Sequence, residues 1–154
     1  MWKLVRTDGR LSAFVARLAL AFVMFPHGAQ KALGWFGGHG FSATMDNFTS
    51  KMGIPWVFAF LAVIAEFLGP IGLVFGFLTR IAAFGILCVM IVAVVMVHRQ
   101  NGFFMNWMGN QPGEGFEYHL LAMGLALALM IEGGGWGSAD RALTVGRSHE
   151  TGRV

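Results

Sequence analysis

Four stretches of this chain are too long and too apolar to be ordinary soluble helices: residues 11–33, 56–78, 80–98 and 116–133. A helix needs roughly 17–25 apolar residues to cross a hydrocarbon core. In lipid every backbone N–H and C=O must pair within the protein, so runs of this kind are helices. Composition agrees: 12% of the residues are charged, against about 25% in soluble domains. The reading is an all-α membrane protein, a bundle of four transmembrane helices over residues 1–143. A polar tail at 144–154 follows, and the chain from about 138 onward is expected to be loosely ordered. The first run has a basic flank, Lys3, Arg6 and Arg10. No A-x-A cleavage site follows it, so it is read as a retained span.

Basic residues orient the spans. Lys3, Arg6 and Arg10 precede the first, Arg80 lies between the second and third, and Arg141, Arg147 and Arg153 follow the fourth. The opposite loops carry only Lys51 and Arg99, with Lys31 at a helix end. This asymmetry places both termini of the multi-pass protein in the cytoplasm. The outer loops at about 34–55 and 99–115 are rich in Gly and aromatics, "GWFGGHGFSATM" and "NGFFMNWMGNQPGEGF". They either anchor in the headgroups or fold back over the bundle. The formal net charge of +3 is not gathered into a basic face, so no nucleic-acid partner is expected. Cys88 is the single cysteine, which excludes a self-contained dithiol enzyme.

Ionisable groups inside a membrane are costly and mark interiors or wet cavities. His27 and Lys31 lie in the outer part of the first run and share a helix face, four residues apart. His98 closes the third run and Arg99 follows it; Glu117 and His119 open the fourth; Glu66 lies near the middle of the second. Lys31 either snorkels to the headgroups or is neutralised by Glu66 or Glu117. Glu66 is either protonated or paired with a cation. Glu117 and His119, two apart, point roughly opposite ways on a helix. Arg17 and Glu132, toward the other side, either snorkel or pair with one another. Pro70 removes the helical donor to the carbonyl of Glu66. The depth argument gathers His27, Lys31, Glu66 and Glu117 with His98 or His119 into one site, lidded by Trp35 and Phe36. Lys51 is placed outside it. No local metal-ligand spacing is present, so no intrinsic haem or metal is expected.

These residues resemble the DoxX family of small bacterial membrane proteins. "PHGAQKALG" is similar to its H-G-x-x-K helix end. "AEFLGPIGLVFGFLTRIAA" resembles its segment from a membrane glutamate to G-x-x-T-R. "GFEYHLLAMGLALALMIEGGGWGSADRAL" resembles its closing span and G-x-G-x-x-S-x-D end. The resemblance implies a four-span bundle, multi-pass in the bacterial cytoplasmic (inner) membrane, and a link to redox metabolism, with some relatives acting as subunits of quinone-linked oxidoreductases and others in oxidative-stress complexes.

Two functions follow as expectations. In the first, the chain is the membrane subunit of a quinone-dependent oxidoreductase. His27, Lys31, Glu66 and Glu117 would serve as catalytic groups, and His98, His119, Trp35, Phe36 and Arg99 would surround a quinone head or small substrate. Electrons would come from a partner protein. In the second, it is a non-enzymatic scaffold or assembly subunit, with a partner protein or further copies of itself docked in the lipid bilayer. A small-solute carrier is a third, weaker reading, since inverted repeats are not evident.

Overall fold

The computed structural model describes residues 5–150, with side chains through residue 144. The described residues form helices and connecting loops only. Helix α1 is Leu11–Leu33, α2 is Gly40–Asp46, α3 is Trp56–Phe75, α4 is Thr79–Ala93, α5 is Glu117–Glu132 and α6 is Ala139–Glu150. A π turn, Asn47–Lys51, extends α2; a π turn, Val94–His98, and a 3-10 turn, Arg99–Asn101, extend α4. Three of these helices are long and apolar enough to cross a membrane: Leu11–Leu33, Trp56–Phe75 and Thr79–Asn101. Helix α5 has 16 residues, about 24 Å at ~1.5 Å each, shorter than the other three.

The four long helices run alternately up and down, and each packs mainly on its two neighbours in the cyclic order α1, α3, α4, α5. The α1–α3 contact is the most extensive of the four and the α5–α1 contact the least. Buried apolar side chains fill the middle, among them Leu20, Met24, Leu73, Ile86, Met90, Ala126 and Leu129. Small residues set the closest approach. A Cβ on Gly28 of α1 would stand 2.0 Å from the carbonyl oxygen of Glu66 in α3. That carbonyl is the one Pro70 leaves without its helical donor, so the backbone of α1 lies against a freed acceptor.

One end of the bundle is closed by polar side chains acting on helix ends. Helix α3 stops at Gly76, whose φ of 62° suits a residue without a Cβ. Its last carbonyls have no partner within the helix. Arg17, fully buried in α1, donates to the carbonyls of Leu73 and Val74 at 2.9 Å each, and to those of Trp136 and Gly137 at 3.3 Å. Helix α4 begins three residues later. Its first free N–H groups, on Leu78 and Thr79, donate to the carboxylate of Asp140 at 2.9 Å each. A carboxylate at a helix N-terminus is favoured by charge as well as by hydrogen bonding.

Two sequence expectations are corrected at this end. Arg17 does not pair with Glu132; Glu132 pairs with Arg10 at 3.3 Å and accepts from Ser12. A guanidinium forks across several carbonyls, and the end of α3 and the segment after α5 supply them nearer than any carboxylate on α5. The stretch after residue 138 is not loosely ordered but forms α6. Ser138 Oγ accepts from the N–H of Arg141 at 3.2 Å, an N-cap that starts the helix. Residues 151–154 of the expected tail lie outside the described residues.

Candidate functional site

The opposite end of the bundle holds a partly enclosed cavity of about 190 Å³, lined by polar and apolar side chains. Lys31, in the last turn of α1, reaches across to α3 and meets the carboxylate of Glu66 at 2.9 and 3.1 Å. The Glu66 side chain is 4% exposed and that of Lys31 28%, so the carboxylate is the deep partner and the ammonium the shallow one. Gly28 makes this reach possible, because only close α1–α3 contact brings the two side chains together.

On the far wall, the rings of His98 and His119 lie 4.1 Å apart between centroids. The π turn Val94–His98 carries His98 round to this position; such insertions re-aim a side chain without ending the helix. Nδ1 of His98 lies 2.8 Å from the carbonyl oxygen of Glu114. His119 is buried, and its Nδ1 has no hydrogen-bonding partner among the described residues. A buried ring nitrogen without a partner is unusual, since native structures pair nearly all such groups. His27 and Tyr118 complete the lining, with ring centroids 6.0 Å apart. The Tyr118 hydroxyl donates to the Met24 sulfur at 3.2 Å.

The cavity therefore gathers His27, Lys31, Glu66, His98 and His119. It does not gather Glu117, Trp35, Phe36 or Arg99. Glu117 points the other way from His119 and accepts from the backbone N–H of Met105 at 2.9 Å and the indole N–H of Trp107 at 3.2 Å. It is the clasp of the 102–116 loop. Trp35 and Phe36 are exposed, as is Arg99, and none of the three lines the cavity. The cover comes instead from the 102–116 loop, which contributes Met105 and Glu114 to the wall. That loop closes on itself at Gly115, where a Cβ would strike three carbonyl oxygens at 2.3 to 2.7 Å. The "GWFGGHG" stretch borders a separate, open groove of about 630 Å³ between the end of α1 and α2. Lys31 lines both spaces, and Lys51, expected to stand apart, lines the groove beside it.

Tyr118 and Glu114 were not among the sequence candidates. Tyr118 had a signal: it is the chain's only tyrosine and precedes His119 in a helix, where neighbours are about 100° apart and can share a broad face. Glu114 had none, since a loop residue carries no periodicity. Among the described residues no group of three or more His, Cys, Asp or Glu side chains is arranged to hold a metal ion.

The DoxX family model matches residues 12–99, which is α1 through the end of α4. The chain belongs to the DoxX family. The match includes four of the cavity's polar residues, His27, Lys31, Glu66 and His98, and stops before α5. Tyr118 and His119 thus join the DoxX segment from outside the matched stretch. No curated protein and no solved structure matched the chain. With its apolar helices, this DoxX chain is a membrane protein.

Proposed function

We propose that this protein is an integral subunit of a quinone-linked redox system, and that the cavity receives the quinone head. The observation that carries the reading is a cavity with polar groups contributed from opposite sides of the bundle: the Lys31 ammonium, held by Glu66, on one side, and the paired rings of His98 and His119 on the other. A quinone carbonyl needs a donor at each end of the ring, and these two groups are candidates for the two positions. The volume of about 190 Å³ is worth about six waters at ~30 Å³ each. It lies below the ~300 Å³ of sites for larger ligands, so it suits one small ring.

A quinone supplies acceptance of two electrons and two protons. The chain's part is to bind, orient and hold protons. Lys31 places a positive charge on one carbonyl oxygen, and Glu66 fixes Lys31 in that position. His119 donates a ring N–H to the other oxygen, while His98, held by the Glu114 carbonyl, supports the His119 ring. The 102–116 loop excludes bulk water. The electron donor in this reading is a partner protein; the single cysteine offers no intramolecular dithiol for that role.

We place the chain in the bacterial cytoplasmic membrane with α5 as a fourth crossing and both termini inside. The short α5 packs between α4 and α1, and its last carbonyls accept from Arg80 and Thr7. The cavity then lies in the outer leaflet.

The test is binding of a soluble, tail-less benzoquinone to purified protein in lipid nanodiscs, read by calorimetry. Saturable one-to-one binding, lost in Lys31→Met and weakened about tenfold or more in His119→Phe, is expected, since about 1.4 kcal/mol is tenfold. Absence of binding by the unsubstituted chain overturns the reading. The alternative is a non-enzymatic scaffold. It is favoured by the mutual satisfaction of Lys31 and Glu66, which can be structural alone. A stoichiometric protein partner co-purifying without quinone supports that alternative.

A further inference from the structure

We propose that the seam between α1 and α5 is a lateral portal, through which the ligand's apolar tail leaves the cavity for the bilayer. This rests on the head-in-cavity reading and adds the route and the ligand class: an amphiphile with a small ring head and a long apolar tail. Three observations lead to it. First, the cavity is too small for more than the head, so a tailed molecule must extend outside it. Second, α1 and α5 make the least extensive of the four neighbour contacts in the ring. At cavity height the side chains that meet across this seam are His27 and Met24 from α1 and Tyr118 from α5. His27 lines the cavity and is also exposed, so the wall is open there. The closure is a hydroxyl-to-thioether contact at 3.2 Å, and thioether sulfur is a weak acceptor.

Third, an apolar strip continues from the opening toward the bundle's midplane. Val23 is one turn deeper than His27 on the same face of α1, and Leu121 is one turn deeper than Tyr118 on α5. Both are exposed, at 47% and 72%. Ala19, exposed, and Leu125, half-buried, extend the strip by a further turn. A polar chamber opening onto an apolar track is the environment an amphiphile requires. The two seams of α3 are closed by tight contact. Between α1 and α3 the Gly28 contact leaves no space, and Gly85 on α4 would carry a Cβ only 3.0 Å from Ala65 on α3.

The experiment uses the full chain in phosphatidylcholine vesicles and a benzoquinone whose alkyl tail carries a diazirine. After irradiation, labelled peptides are mapped with and without excess tail-less benzoquinone. Labelling at residues 19–23 and 121–125, displaced by the tail-less quinone, supports the portal. Displaceable labelling concentrated instead on the exposed face of α4, at Phe84 and Ile91, overturns the portal and leaves the head site standing. Labelling that excess tail-less quinone does not displace, or no labelling, overturns both. As a second readout, Val23→Trp fills the strip on an exposed face without touching the cavity. It should weaken the tailed probe about tenfold, roughly 1.4 kcal/mol, and leave tail-less quinone binding unchanged. Equal binding of the tailed probe to both proteins overturns the portal.

Discussion

Lys31 and Glu66 are separated by 35 residues and held at 2.9 Å with the carboxylate buried. Charges in such a setting are costly singly and tolerable together. Glu66→Leu strands the ammonium beside a half-enclosed cavity. Breaking a fully buried pair costs roughly 3–5 kcal/mol; partial exposure of Lys31 reduces this to about 1–3 kcal/mol. Thermal unfolding in mild detergent should show Glu66→Leu and Lys31→Met each lowering Tm. The double variant should recover most of the loss, because neither charge is then left alone. If the double variant is as unstable as the sum of the single ones, the pair is not the energetic unit described. Arg17 poses the contrasting case. It is a buried cation whose hydrogen-bonding partners are carbonyls, and it serves two backbone segments at once. Lysine, a compact point charge, lacks the planar fork that this geometry uses.

Elements are positioned by where side chains are missing as much as by where they are present. Gly28 and Gly124 illustrate this. A Cβ at Gly28 would overlap the Glu66 carbonyl, which is backbone and cannot swing aside, whereas a Cβ at Gly124 meets nothing within 4 Å. Gly28→Ala should therefore push α1 off α3, costing about 1–3 kcal/mol or more by overpacking, and lengthen the Lys31–Glu66 contact. Gly124→Ala should be neutral or stabilising by up to about 1 kcal/mol through helix propensity. Paired measurements of Tm and of tail-less quinone binding check both. Equal tolerance of the two substitutions would show that α1 and α3 are not in backbone contact. The lid depends on a similar constraint at Gly115, and on Glu117 holding Met105 and Trp107 from below.

For the assembled bundle, the question is how it sits in a membrane. With four crossings, the cavity end and the Arg17 end lie on opposite sides. Single cysteines placed in a Cys88→Ala background at Ser42, Asn110, Asp8 and Leu143, all exposed positions, report this. A membrane-impermeant maleimide on intact cells should label Ser42→Cys and Asn110→Cys. Asp8→Cys and Leu143→Cys should react only after permeabilisation. Labelling of Asn110→Cys and Leu143→Cys from the same side would remove α5 as a span. Labelling of Asp8→Cys in intact cells would reverse the orientation.

Hydrophobic run length and helical periodicity are local properties. They are enough to establish that the chain is helical, where its long helices lie, and that His27 and Lys31 share a face. They also establish that Glu117 and His119 diverge, because a two-residue step on a helix turns by about 200° whatever surrounds it. Ser138, three residues before Arg141, even carried a helix start that the polar composition after it obscured. Tertiary packing chose which partner each polar group took. Lys31 had two carboxylates at suitable depth and took Glu66, because Gly28 lets α1 lie on α3. Both His98 and His119 entered the cavity, because a π turn rotated the end of α4. Arg17 took carbonyls and not Glu132, because the end of α3 and the segment after α5 converge on it. The lid formed from residues 102–116 and not from Trp35 and Phe36. Which loop folds inward depends on contacts between distant segments, and neither composition nor periodicity encodes those in any local window.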